Sequence, residues 1–273
     1  MARRSESAGP FLLRAALLAP ALVLLLAFFL LPLAKLAMLG FEGQGYWAAI
    51  TAPRSLRALR DTVLLSAAVS FSAVALAAVV GHFLARRRFP GRRLLVAMLT
   101  LPMAFPGVVV GFLVILLAGR QGLVGSVTEA LFGERLVFAY SFAGLFAGYL
   151  YFSLPRCIAT IMAAAEALDP ALEEAARSLG ARRWRVVRDV ILPGLAPALV
   201  ASGAICFATA MGALGTAFTL ATDTSVLPML IYTEFTLATN LGVAASLSVL
   251  LGATTWVVLA LARGASGSLA ANA

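Results

Sequence analysis

Apolar residues in this chain come in long unbroken runs, separated by short segments that hold most of the charge. A helix needs about 20 apolar residues to cross a bilayer. Six runs reach that length, at about 15–39, 62–85, 94–118, 136–158, 195–220 and 238–262. The connections between them are 40–61, 86–93, 119–135, 159–194 and 221–237. The pattern predicts an all-α integral membrane protein with six transmembrane helices. The start, MARRSESAGPF, gives the first run the look of a signal peptide. Its apolar stretch Ala15–Ala34 exceeds the roughly 7–15 residues of such a segment, so it reads as an uncleaved first span.

Basic residues orient the runs. With the N-terminus inside, the cytoplasmic segments hold Arg3, Arg4, Arg14, Arg86, Arg87, Arg88, Arg92, Arg93, Arg156, Arg177, Arg182, Arg183, Arg185, Arg188 and Arg263, or 15 of the 21 basic residues. The other 6 are Lys35, Arg54, Arg57, Arg60, Arg120 and Arg135. Both termini then face the cytoplasm. RRRFPGRR at 86–93 reads as a topology anchor on anionic lipid. The chain divides into residues 1–54 (cytoplasmic tail, first span and outer loop), one compact helical domain over 55–262, and a cytoplasmic tail over 263–273.

The connection at 159–194 differs from the others because it carries helical periodicity. Asp169 is a good N-cap and Pro170 fits the first helical position. Glu173 and Glu174 follow at the positive end of the helix dipole. Leu168, Leu172, Ala175, Ala176 and Leu179 make a stripe at helical spacing. Gly180 fits a left-handed C-terminal cap. A second amphipathic helix places Trp184, Val187 and Ile191 on one face and Arg182, Arg185, Arg188 and Asp189 towards the other. Pro193 and Pro197 end or redirect it. The segment is therefore helix, glycine turn, helix at the membrane surface: either an ordinary headgroup-lying loop or a docking element for a cytoplasmic partner.

Composition agrees with a bilayer as solvent. Hydrophobic residues make up 62% of the 273, charged residues 12%, and the mean hydropathy is +0.99; a soluble domain carries about 25% charged residues. The net charge of +9 sits where it meets a membrane surface, which argues against nucleic acid. Lys35 is the only lysine, and it follows no glycine-rich turn, so no Walker-type phosphate loop exists. His82 is the only histidine and reads as a packed or interfacial residue. Cys157 and Cys206 offer no disulfide framework and no metal spacing. No catalytic residue, cofactor site or metal site is expected, and nothing marks an enzyme.

The loop carries a resemblance. Glu174-Ala175-Ala176, three residues, Gly180, nine residues, then Val190-Ile191-Leu192-Pro193 is similar to the signature loop of permease subunits of bacterial binding-protein-dependent ABC importers, the type I, maltose/methionine-permease-like fold. Val190 stands where the family often has Ile. The resemblance extends over most of the chain: the six-span layout, RALRDTVLLSAAVS at the second run, and LPMAFPGVVVG in the third. In the second run Asp61-Thr62 replaces the Asn-Thr of many relatives, which leaves a local cap intact. The resemblance implies that 166–193 is a coupling loop whose Glu174, Ala175, Ala176, Gly180, Ile191 and Pro193 engage an ATP-binding cassette ATPase dimer. It implies that ATP and magnesium are held by that separate chain and that the location is the bacterial cytoplasmic (inner) membrane. Further implied partners are a second permease subunit, a paralogue in this subgroup, and a periplasmic or lipid-anchored solute-binding protein.

In the third run Pro102 and Pro106 free backbone carbonyls that neighbours or a cavity must satisfy. Gly107 and Gly111 follow at four-residue spacing, and Ala204, Ala208, Gly212 and Gly215 recur in the fifth run; plain close packing explains such residues. The path reading is that the third run at Phe105 and Pro106 and the fifth at Thr209 and Thr216 line a route shared with the second permease. No ionisable residue lies deep in either run. In the outer segment 221–235, Asp223 and Glu234 are either solvated loop acids or acids that greet a cation. The resemblance points to a polyamine of the spermidine or putrescine type; the alternatives are a phosphonate such as 2-aminoethylphosphonate, ferric iron or thiamine. A stand-alone channel or secondary transporter is the competing class. It requires intramembrane ionisable residues, which are rare here, and leaves 166–193 unexplained.

Overall fold

A computed structural model describes the backbone of residues 8–221 and 225–271, and the side chains of 17–221 and 225–264. Arg3, Arg4 and Asp223, named above, lie outside the described residues, as does the side chain of Arg14. Among the described residues the structure is helical throughout, with no strand. Six helical stretches are long and apolar enough to cross a membrane: Leu17–Leu39, Pro53–Arg86, Gly107–Phe132, Phe142–Ala167, Arg183–Met211 and Leu241–Gly264.

The first span joins α1 (Ala8–Leu25) to α2 (Leu31–Leu39) through a π turn, and residues 17–35 are exposed throughout. A short helix α3 (Gly45–Thr51) precedes the second span, α4 (Pro53–Arg86). Asp61 caps nothing, contrary to expectation: α4 begins two turns earlier, where Pro53 takes the first helical position. Thr62 does act as a cap, but at a distance. Its hydroxyl accepts the Leu227 N–H at 2.7 Å and donates to Ala58 O at 2.6 Å. It thereby satisfies the start of α13 (Leu227–Thr236).

The third run is not one helix. It comprises α5 (Arg92–Thr100), a 3₁₀ turn at Leu101–Ala104 and α6 (Gly107–Ala118), with an extended break at Phe105 and Pro106. Pro102 and Pro106 cannot donate, and a residue before proline is pushed out of the helical region; Phe105 has φ −92° and ψ 135°. The helix α7 (Leu123–Phe132) follows beyond a turn at Gly119–Gly122.

The fourth span is α8 (Phe142–Ala167), and Arg156 lies inside it rather than in a cytoplasmic segment. The short helix α9 (Pro170–Ser178) leads to α10 (Arg183–Val186). This second helix is not separate from the next span. It runs through a π turn at Val187–Ile191 into α11 (Leu192–Met211). Pro193 and Pro197 do not end it. They remove two donors, and the wider turn absorbs the mismatch. That turn also rotates the buried face, so Val186 and Ile191 are buried while Trp184 is 67% exposed. The fifth run was expected to continue to 220. It stops at Met211 and turns at Gly212 and Ala213 into α12 (Leu214–Leu220). The last span lies in α14 (Leu241–Ala271).

The core forms where α4, α8 and α11 meet. Leu65, Val69, Ala73 and Ala77 present one face of α4 to Leu145, Ile158 and Ile161 of α8 and to Cys206 and Ala210 of α11. Small residues on that face let the backbones approach closely. A second cluster, Ala49, Ala58, Leu227, Leu230 and Leu247, ties α3, α4, α13 and α14 together.

Candidate functional site

The loop between the fourth and fifth spans is built by local chemistry. Asp169 Oδ1 accepts the Ala171 N–H at 2.9 Å, capping α9. Gly180 has φ +81°, a region that costs other L-residues energy. It closes the helix with Gly180 N–H on Arg177 O at 2.9 Å and Ala181 N–H on Ala176 O at 3.1 Å.

Glu173 turns inward and is buried. Its two oxygens accept from Arg86 Nε at 2.7 Å and from Arg177 Nη2 at 2.9 Å. Arg86 Nη2 also donates to Leu168 O at 3.1 Å. One guanidinium at the end of α4 thus holds both the loop's first carboxylate and the end of α8. Arg92 repeats the device on the other side, donating to Glu166 Oε1 and to Leu84 O, each at 2.7 Å. These contacts tie the second span, α5, the end of α8 and the loop to one another. A cavity of about 890 Å³, bordered by His82, Arg86, Arg87, Glu173 and Glu174, opens between α4, α9 and α10.

The residues singled out in the loop divide by exposure. Glu174, Ala175, Gly180 and Pro193 are exposed, Ala176 is half-buried against the core, and Ile191 is turned into the bundle. Around them Leu172, Leu179 and Trp184 are 55%, 89% and 67% exposed, an apolar surface left open by the described residues. The carboxylate facing outward is Glu174; the motif's spacing gave no sign that Glu173 would face inward.

In the broken spans Phe105 is half-buried and Pro106 exposed. Thr209 is half-buried, its hydroxyl within bonding distance of Ile205 O (3.0 Å) and Cys206 O (2.9 Å) of its own helix. Thr216 is buried and donates to Gly107 O at 3.1 Å. A Cβ at Gly111 would overlap Thr219, and one at Gly107 would lie 3.1 Å from Thr216 Oγ1. The two glycines thus do what the packing reading requires: they let α6 lie against α12. In the outer segment Glu234 faces Arg54 at 3.6 Å with its side chain 17% exposed, so it does not stand open to a cation.

This architecture can be compared with known proteins. Residues 73–269 match the family described as binding-protein-dependent transport system inner membrane component. The chain belongs to that family. It is a permease subunit of an ABC importer, a transport component and not an enzyme. It is 36% identical over 181 residues to the molybdenum transport system permease protein ModB of Escherichia coli K12, covering 63% of this chain and 78% of that one. It is 35% identical over 188 residues to the sulfate transport system permease protein CysT of the same organism, covering 68% and 67%. The expected polyamine subgroup finds no support in these relatives. In fold, the chain resembles a subunit of a bacterial alginate ABC transporter solved with its periplasmic protein, with TM-score 0.79, 19% identity and 93% of both chains covered. It also resembles the inward-facing MetNI methionine ABC transporter, with TM-score 0.62, 18% identity, and 78% of this chain and 95% of that one covered.

Proposed function

We propose that this permease forms half of the membrane path for a small tetrahedral oxyanion of the molybdate or sulfate class. The observation that carries the reading is the more than one-third identity to the molybdenum and sulfate permeases over about two thirds of the chain. Charge supports it. Glu234, the described acid considered for a cation, is already paired with Arg54.

A second permease subunit, a paralogue or a copy, completes the path, and a binding protein delivers the solute from outside. The exposed surface of α9, with Glu174, Ala175, Leu172 and Leu179, enters a cleft of the cytoplasmic ATPase, which binds ATP and magnesium. The location is the bacterial inner membrane. To test the solute, the complex is reconstituted in liposomes with its ATPase and binding protein. ATP hydrolysis and uptake are then measured with molybdate, sulfate or spermidine. Stimulation and uptake are expected with an oxyanion; a response to spermidine alone would overturn the reading.

A further inference from the structure

Arg156 is the fifteenth of the 26 residues of α8. At about 1.5 Å per residue, it lies about 21 Å from the outer end of the helix and about 16 Å from the inner one. The hydrocarbon layer is about 30 Å thick, so the guanidinium sits at membrane depth. Among the described residues it has no carboxylate partner and donates no hydrogen bond.

An ionisable side chain in that position is costly unless it faces water or a counter-charge. The helix face that carries it has the composition of a wetted surface. Arg156 and Ala159 are half-buried, and Thr160 and Ala163, one and two turns further on, are exposed. The residues flanking Arg156, Pro155 and Cys157, are buried, as are Ile158 and Ile161. Lipid-facing helix in this same molecule looks different: the first span exposes Leu22, Val23, Leu26, Phe28 and Phe29. Small and polar side chains around an unpaired cation mark a path. The 3₁₀ turn that precedes the break at Phe105 and Pro106 packs against this same helix.

We propose that the Arg156 guanidinium holds the transported oxyanion in transit inside the membrane. The inference rests on the oxyanion reading above and names the residue that carries it. The planar fork of arginine matches two oxygens of a tetrahedral anion. A single guanidinium offsets only part of the charge of a dianion, so the anion is drawn in and still released, as conduction requires.

The test uses the assembled complex with Arg156→Gln, Arg156→Lys and Arg156→Cys. In Arg156→Gln, oxyanion uptake falls roughly ten- to hundredfold, the weight of a charged hydrogen bond, while the complex still assembles with its ATPase and binding protein. Arg156→Lys keeps the charge without the fork and retains intermediate uptake. In Arg156→Cys, a small anionic methanethiosulfonate reacts with the new thiol, and the oxyanion slows that reaction; Cys157 and Cys206, 1% and 2% exposed, give little background. Wild-type uptake by Arg156→Gln sinks the assignment while leaving the oxyanion reading standing. So does a correctly assembled Arg156→Cys complex whose introduced thiol is unreactive. A wild-type complex that carries no oxyanion sinks both.

Discussion

Glu173 and Glu174 are neighbours in sequence with opposite fates: one is buried against Arg86 and Arg177, the other is exposed. The buried one links the loop to the second span, and that gives it a consequence of its own. Glu173→Gln leaves Arg86 and Arg177 without their carboxylate, and Arg86→Gln leaves Glu173 with Arg177 alone; either costs about 2 kcal/mol, less whatever solvent screens at an arginine whose side chain is 18% exposed. The ATPase should still bind, because the outer surface of α9 is untouched. Stimulation of hydrolysis by the loaded binding protein should fall, because the loop can then move without α4. Equal stimulation in wild type and both variants removes the linking role. Gly180 acts differently. A Cβ there meets open space, yet φ is +81°, so Gly180→Val strains the backbone by roughly 1–2 kcal/mol and re-aims α10 relative to α9. Co-purification of the ATPase with this variant should drop; unchanged retention would show that the turn tolerates another cap.

At the scale of elements, the close contact of α6 with α12 is the sharpest packing constraint. Gly111→Val forces the two helices apart around Thr219, and overpacking of this kind costs roughly 1–3 kcal/mol. The melting temperature of the purified complex should fall, whereas Gly252→Ala, where an added Cβ meets nothing, should leave it unchanged. Both ends of α9 were legible in the sequence because they are set by adjacent residues: Asp169 and Pro170 at one end, Gly180 at the other. The six spans were legible because bilayer thickness fixes a length. The breaks were not. Prolines 102 and 106 were visible, but whether a proline bends, widens or breaks a helix depends on what satisfies the freed groups, and Pro193 did the second. Thr62 was read as part of a local cap, yet its partner Leu227 is 165 residues away. Arg156 was assigned to the cytoplasm because it lies two residues from the expected end of its run at 158, whereas α8 continues to Ala167. The apolar residues that continue past it, CIATIMAAA, were the available sign that the helix goes on.

The whole molecule has a built-in asymmetry that its orientation must respect. Moving Arg156 into the membrane reduces the 15 basic residues first assigned inside to 14, against 6 at the other side. The bias therefore survives the correction, and it is carried by segments close to the span ends, where it counts. It predicts α9 and its exposed Leu172, Leu179 and Trp184 on the cytoplasmic side, the side on which an ATPase has its nucleotide. It predicts α7, with exposed Ser126, outside. The two native thiols are buried, so single introduced cysteines report cleanly. In intact cells, a membrane-impermeant maleimide should label Ser126→Cys. Arg183→Cys, exposed at the start of α10, should be labelled only after the membrane is opened. The inverse pattern would put the loop on the side without ATP. The orientation, the coupling role of α9 and the inward direction of transport would then fall together, since each depends on Glu174 and Ala175 meeting a partner in the cytoplasm.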